Sequence, residues 1–225
     1  MFVEHEVFIG LRDVALNNKV TNTALLSYLE DAGGVHSNLV GYGLRDIPKV
    51  KKSWVLLGWK IEIFERPTYG DKISIKTWSR GIDKLYAYRD FEILDENKKV
   101  IGIATSKWVL LDIEKGKIIR IGKEVEEAYT VENLRVFEEA DLEKLEPPKN
   151  FSSFTDFIVN RSLIDVNGHL HNIYFMDIAN EVLPMEVYQN AELNHIQMMY
   201  KKEIKLRRCG EGVLWHGKWR ACCGN

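Results

Sequence analysis

The spacing of apolar residues changes along the chain and predicts strands and helices in alternation. Residues 2–11 alternate apolar and polar side chains and predict a first strand. Between residues 20 and 40 the apolar side chains recur at helical spacing, and Thr21 and Asn22 at the start are suited to cap a helix. The first part of the chain therefore predicts a strand followed by a long helix with one buried face.

Further segments of strand character follow this helix and are separated by turn residues. Residues 67–71 and residues 95–98 have the composition of tight turns between antiparallel strands. This order predicts an α+β unit in which a helix is followed by an antiparallel meander. The predicted strands cover residues 54–65, 72–78, 85–94 and 100–112.

Residues 122–150 differ in character from the segments before them. They are rich in glutamate and contain Pro147 and Pro148 near their end, a composition typical of an exposed connector. We interpret them as an acidic, partly helical linker. The linker would join a first unit of residues 1–121 to a second unit of residues 151–225.

The second unit repeats the pattern of the first. One constant shift places residues 7–9 on residues 157–159 and the helix at 24–32 on residues 174–182. Beyond the helix a smaller shift fits best and places Gly70 on Gly210. Two related units with the same order of strand, helix and strand are the simplest interpretation. Because the sequence runs only from Gly210 to Asn225 after this point, we expect the second unit to lack its last strands.

Three polar residues stand at alternate positions before the second helix, namely Asp165, Asn167 and His169. In an extended segment, side chains two residues apart share a face, so a carboxylate, an amide and an imidazole would converge. Such residues are also ordinary loop and cap residues, which is the alternative interpretation. The repeat provides an internal control, since the first unit starts its helix with Ala15 and Lys19 in place of the aspartate and the histidine. This difference favours a functional site in the second unit.

Composition and charge narrow the class of protein. Apolar residues make up 45% of the chain and charged residues 28%, as in soluble globular proteins. The formal net charge of -2 provides no basic field for nucleic acid. No run approaches the roughly 20 apolar residues of a membrane span, and the first residues lack the pattern of a secretory leader. We therefore expect a cytoplasmic protein that binds neither nucleic acid nor membrane.

The cysteines suit neither a disulfide framework nor a metal site. Cys209, Cys222 and Cys223 are odd in number and crowded near the end of the chain. The histidines are not spaced with other ligands as in a zinc site. We expect free thiols, no metal and no organic cofactor.

Two blocks of the sequence together resemble the acyl-acyl carrier protein (ACP) thioesterases of bacteria and plants. The first is the motif Asp-x-Asn-x-His from Asp165 to His169, and the second is Tyr-Lys-Lys-Glu from Tyr200 to Glu203. The resemblance extends over residues 2–219 and implies a tandem hotdog fold, in which each long helix is wrapped by an antiparallel sheet. It also implies hydrolysis of the thioester of fatty acyl-ACP. By this likeness the family's catalytic positions are matched by Asp165, Asn167, His169 and Glu203.

The chemistry of thioester hydrolysis assigns candidate roles to these residues. The reaction needs an activated water and donors aimed at the developing oxyanion. Glu203, expected half-buried on a strand, is the first candidate to activate the water. The alternative interpretation is that it belongs to a solvated charged face of that strand. Asn167 could hold the carbonyl or the water, and His169 could polarise the carbonyl or carry a proton. Asp165 could orient either of them.

A cysteine nucleophile is not expected. Some plant relatives carry a cysteine directly after the glutamate, and this chain has Ile204 there. Two other functions stay open. The chain could hydrolyse acyl-coenzyme A, or it could be a non-catalytic acyl-binding hotdog module.

The resemblance also implies ACP as a partner, and a homodimer is one expected assembly. Because carrier proteins are acidic, the docking surface should be basic although the whole chain is nearly neutral. The candidates are Lys49, Lys51 and Lys52 or, nearer the site in sequence, Lys201, Lys202, Arg207 and Arg208.

Overall fold

A computed structural model of the chain describes residues 1–138, 142, 145–146, 153–205, 209–215 and 218–223, with the backbone alone for 153–156, 209–215 and 218–223. The chain divides into two compact units, Met1–Glu143 with Asn194–Met199 and Lys144–Leu193 with Tyr200–Asn225. In chain order the helices and strands are β1 (Val3–Phe8), α1 (Asn22–Leu39), α2 (Ile47–Val50), β2 (Lys52–Ile63), β3 (Lys72–Asp83), β4 (Tyr86–Leu94), β5 (Val100–Asp112), β6 (Lys117–Ile119), α3 (Lys123–Tyr129), β7 (Ser153–Ile158), α4 (Tyr174–Val182), α5 (Met185–Asn190), β8 (His195–Met199), β9 (Cys209–Trp215) and β10 (Lys218–Cys223).

The first unit is built on an antiparallel sheet of seven strands. The strands follow the order β1-β3-β4-β5-β2-β8, and β6 pairs with the end of β5. The predicted strands of this unit are confirmed, with β5 at the predicted bounds and β3 extending to Asp83, beyond its predicted end. Alternating apolar positions on these strands supply a core that includes Trp59, Trp78 and Phe91, all fully buried.

Helix α1 packs its apolar face against β1 and β3. It begins as the sequence predicts, because the Thr21 hydroxyl accepts a hydrogen bond from the Ala24 amide at 3.1 Å. Leu25, Leu26 and Leu29 lie on the buried face. Burial of each leucine stabilises the unit by roughly 1.5–3 kcal/mol. A long helix against an antiparallel sheet is the hotdog arrangement that the family resemblance implies.

The segment interpreted as a linker begins inside the first unit. Helix α3 places Val125 and Tyr129 in a buried cluster with Leu110 and Ala87. The hydroxyl of Tyr129 also accepts a hydrogen bond from the Trp54 indole at 2.8 Å. Residues 123–129 therefore belong to the core of this unit, whereas Pro147 and Pro148 lie outside the described residues.

Strand β8 is a second difference from the sequence analysis. Its residues, 195–199, stand beyond the second helix in the chain and were assigned to the second unit. They pair with β2 from Gly58 to Glu62 and extend the sheet of the first unit. Local periodicity predicts a strand but does not specify its partner.

The second unit has a shorter helix and a smaller sheet. Helix α4 buries Phe175, Ile178 and Val182 on the face that the sequence predicts. It lies near β7, β9 and β10, which form a sheet of order β10-β9-β7. In the described part of the chain this sheet has three strands against seven in the first unit.

The strand registers correct the predicted repeat. Phe8 pairs with Lys72 in the first unit, and its counterpart Ile158 pairs with Cys209 in the second. The predicted shift therefore holds through β7, but beyond the helix Lys72 corresponds to Cys209. The predicted match of Gly70 with Gly210 would have set Lys72 against Gly212, so it was wrong, because single turn residues define a register poorly. Cys209 is the first residue of β9.

Among the described residues, no helix is long and apolar enough to cross a membrane.

Candidate functional site

Asp165, Asn167 and His169 lie on a tight turn, so the expected extended geometry was wrong. The Asp165 amide donates to the His169 carbonyl at 2.8 Å, and the Gly168 amide donates to the Asp165 carbonyl at 3.1 Å. Gly168 has a φ of 81°, in the left-handed region that glycine adopts without a steric cost. The turn places Asp165 and His169 opposite each other. Their proximity therefore results from the turn and not from alternation along a strand.

The Asp165 carboxylate organises this turn. One of its oxygens, Oδ1, accepts hydrogen bonds from the backbone amides of Asn167 and His169 at 2.9 and 3.0 Å. The other, Oδ2, accepts from the Asn167 side-chain amide at 3.3 Å. Of the two roles predicted for Asp165, these contacts match the orientation of Asn167. The contact of Asp165 with His169 is to the backbone amide of His169.

Glu203 lies beside His169, with 3.1 Å between Glu203 Oε2 and His169 Nε2. The imidazole is mostly buried and the Glu203 side chain is 65% exposed. Glu203 comes after the end of β8 and outside any strand, in contrast to the expected half-buried strand position. The structure thus brings together the four residues that the sequence singled out, and it leaves the carboxylate of Glu203 accessible to water.

Backbone pairing joins the two segments that carry this pair. The Leu170 amide donates to the Ile204 carbonyl at 2.7 Å, and His169 and Lys205 form an isolated bridge. The Ile204 side chain is 1% exposed, so it anchors the segment in the unit's interior. Glu203 stands between exposed lysines on the outside of this buried anchor.

The first unit contains the same turn without the same chemistry. The Ala15 amide donates to the Lys19 carbonyl at 2.9 Å, as the Asp165 amide does to the His169 carbonyl in the second unit. Asn18 has a φ of 60° at the position of Gly168. The turn is therefore a feature of the fold, and the carboxylate and imidazole are additions specific to the second unit.

The counterpart of Glu203 in the first unit is Arg66, which the sequence analysis missed. Val20 donates to the Pro67 carbonyl at 2.9 Å, just as Leu170 donates to Ile204, which places Arg66 at the position before that carbonyl. Its guanidinium donates to the Val20 carbonyl, to Asn22 Oδ1 and to Asn194 Oδ1 at 2.8, 2.7 and 3.0 Å. A sequence alignment that sets Lys72 against Cys209 would have found it.

The basic candidates for docking differ in their surroundings. Lys51 and Lys52 lie 3.7 and 3.2 Å from carboxylates of Glu114 and Glu124. Lys201 is exposed and donates to the Leu145 carbonyl at 3.3 Å. Two further candidates, Arg207 and Arg208, lie outside the described residues.

Chemically, the cluster offers a water-accessible carboxylate, an adjoining imidazole and an oriented amide. A carboxylate hydrogen-bonded to an imidazole can accept a proton from water and pass it on. The second proton of the Asn167 amide is available to a carbonyl oxygen. Within the part of the chain that is described, the acidic, histidine and cysteine residues form no group that could hold a metal ion.

Two sequence models of one protein family match the chain. Residues 3–129 match the sequence model of the acyl-ACP thioesterase N-terminal domain, and residues 146–213 match that of the C-terminal domain. The chain is 28% identical over 212 residues to the chloroplastic oleoyl-acyl carrier protein thioesterase of Coriandrum sativum, an alignment that covers 86% of this chain and 57% of that protein. The chain thus spans a little over half the length of this relative.

Solved structures share the fold. An acyl-ACP thioesterase from Bacteroides thetaiotaomicron superposes with a TM-score of 0.82 at 22% identity, over 99% of this chain and 95% of that one. The 12:0-ACP thioesterase from Umbellularia californica superposes with a TM-score of 0.84 at 18% identity, over 100% and 93% of the two chains. At these identities the likeness establishes the tandem hotdog fold.

Proposed function

Because the chain belongs to the acyl-ACP thioesterase family, we propose that it hydrolyses the thioester of fatty acyl-ACP and releases a fatty acid and ACP. The observation that supports this most directly is the contact of 3.1 Å between His169 and Glu203. The equivalent turn of the first unit has Lys19 and Arg66 instead, so the pair is not needed to build the turn.

The proposed reaction uses each of the four residues once. Glu203 takes a proton from a water molecule while the water oxygen attacks the thioester carbon. The Asn167 amide donates to the developing oxyanion, and Asp165 keeps that amide in place. When the carbon–sulfur bond breaks, the proton passes through His169 to the leaving thiolate. The products are a carboxylic acid and a thiol, which balances the addition of one water.

Removal of the proton-transfer groups tests this proposal. We expect Glu203→Gln and His169→Ala each to lower kcat for acyl-ACP by about 10²–10⁴-fold, the usual contribution of general acid–base catalysis. The fold should remain, because the buried anchor beside Glu203 is untouched. Glu186→Gln is the matched control, since Glu186 is exposed on α5 in the same unit. Near wild-type rates in either site variant, with circular dichroism unchanged, would refute the assignment.

A panel of substrates separates the proposal from its alternatives. Mass spectrometry would follow hydrolysis of matched acyl-ACP and acyl-coenzyme A thioesters by the intact chain. Faster turnover of acyl-ACP supports the proposal, and faster turnover of the coenzyme A series would make the protein an acyl-coenzyme A thioesterase. Tight binding of acyl chains without hydrolysis of either would make it a non-catalytic acyl-binding module.

We also propose that ACP docks on the basic surface beside the site. Lys201, Lys202 and Lys205 are exposed and lie within two residues of Glu203 in the chain. An acidic carrier protein would be attracted to such a surface. The charges of Lys51 and Lys52 are partly neutralised by Glu114 and Glu124, which favours the lysines near Glu203.

The homodimer and the cytoplasmic location remain predictions. Light scattering after size-exclusion chromatography would measure the mass of the assembly in solution. Fractionation of the source cells would determine where the protein is located. The coriander relative is chloroplastic.

A further inference from the structure

We propose that Tyr200 is a positioning residue that holds the segment carrying Glu203 against the start of α4, so that the carboxylate reaches His169. This inference rests on the proposed function, because it concerns the same site. Tyr200 would act by holding the segment that carries Glu203. It would take no part in the proton transfer between Glu203 and His169.

The contacts of Tyr200 point to this role. Its hydroxyl donates to the carbonyl of Asn172, two residues before the start of α4, at 3.2 Å. Its ring packs edge-on against the Phe175 ring, with 5.5 Å between centroids. The polar contact and the aromatic contact together attach the segment of Tyr200 to the start of the helix.

The contacts of Tyr200 and the backbone hydrogen bond to Ile204 attach the segment on either side of Glu203. Tyr200 stands three residues before Glu203, and Ile204 directly follows it. Their partners, Asn172 and Leu170, stand three residues and one residue after His169. The segment is thus attached at both ends, and Glu203 lies in the stretch between the attachments.

The position of Glu203 depends on these attachments because its own surroundings are open. It lies outside any strand, and its side chain is 65% exposed. If one end of the segment were released, the carboxylate would sample positions away from His169. A displacement of about 1 Å in a catalytic group can lower a rate by about 10²-fold.

Tyr200→Phe tests the polar contact while it keeps the ring against Phe175. We expect kcat for acyl-ACP to fall roughly tenfold, the equivalent of one lost hydrogen bond, with KM within about twofold. Tyr188→Phe is the matched control, because Tyr188 is exposed on α5 in the same unit. Circular dichroism should be unchanged in both variants. A kcat for Tyr200→Phe equal to that of the control would overturn the proposal.

A double-mutant cycle with Glu203→Gln shows whether Tyr200 acts through Glu203. If it does, Tyr200→Phe should cause no further loss of kcat once Glu203 is glutamine. A purely structural contribution would instead give additive losses and would refute the positioning role.

Amide hydrogen exchange tests the attachment without any activity measurement. We expect the Leu170 amide, which donates to Ile204, to exchange about three- to tenfold faster in Tyr200→Phe than in Tyr188→Phe. If the wild-type chain hydrolyses no thioester, the proposed function fails, and equal exchange in the two variants would separately refute the positioning of the segment.

Discussion

At the residue scale, Asp165 has a structural role in addition to any catalytic one. Its carboxylate accepts hydrogen bonds from two backbone amides and from the Asn167 side chain, so it stabilises the turn on which His169 stands. The first unit makes a similar turn with Ala15 and uses the Asn17 side chain to accept the Lys19 amide at 3.1 Å. The carboxylate is therefore an alternative way to stabilise the turn, and it leaves the neighbouring amide oriented.

The structural role of Asp165 and its proposed catalytic role can be separated by substitution. We expect Asp165→Ala to lower the free energy of unfolding of the second unit by about 1–3 kcal/mol, because backbone amides lose their acceptor, and to abolish most hydrolysis. Asp165→Asn keeps one acceptor oxygen and should recover most of the stability. Chemical denaturation and turnover of acyl-ACP would measure both. Wild-type turnover in the alanine variant would contradict the role of this carboxylate.

At the element scale, α1 and β4 of the first unit are joined by a buried polar pair. Arg89 Nη1 lies 2.8 Å from His36 Nδ1, and both side chains are buried. Burial, and next the charge of Arg89, lower the pKa of His36 from 6.5 to about 3. The imidazole is therefore neutral in the folded protein and accepts a hydrogen bond from the guanidinium.

This pair predicts a loss of stability in acid. Below pH 6.5 the unfolded chain binds a proton at His36 that the folded chain excludes down to about pH 3. The free energy of unfolding should thus fall by up to about 1.4 kcal/mol per pH unit within this window, from this group alone.

Denaturation at several pH values would measure this effect. Tryptophan fluorescence is a suitable signal because four of the six tryptophans lie in the first unit. His36→Gln should show a shallower pH dependence between 6.5 and 3 than the wild type. His195→Gln is the control, since His195 is 79% exposed on β8 of the same unit. Parallel curves for wild type and His36→Gln would contradict the prediction.

At the scale of the whole molecule, the net charge of -2 is nearly neutral, so the proposed attraction to an acidic carrier would have to come from a local basic surface. We expect Lys201→Glu with Lys202→Glu to raise KM for acyl-ACP about tenfold, and to raise it much less for a small uncharged acyl thioester. The effect should shrink at high salt because exposed charges are screened. Steady-state kinetics on both substrates would measure this.

Charge reversal at the other pair of candidate lysines, Lys51 and Lys52, is the matched control. Lys51→Glu with Lys52→Glu changes the net charge equally, but at lysines that lie near Glu114 and Glu124. A larger effect there would move the docking surface to the first unit. Equal effects on both substrates would contradict docking at Lys201 and Lys202.

The sequence by itself determined most of the local structure and the composition of the site. Periodicity predicted α1 and the strands of the first meander, since amphipathic spacing is imposed by which face of an element is buried. The motif from Asp165 to His169 and the later Glu203 identified four residues that lie together. The internal repeat showed that the turn does not require Asp165 and His169, because the first unit has Ala15 and Lys19 at these positions.

Only the tertiary structure decided how these parts are connected. The pairing of β8 with β2, the register of the repeat beyond the helix and the match of Glu203 with Arg66 all depend on hydrogen bonds between segments far apart in sequence. The turn at Asp165 depends on carboxylate contacts that alternation does not encode. Spacing along a chain records which side chains are buried, but long-range hydrogen bonds determine which segment each one meets.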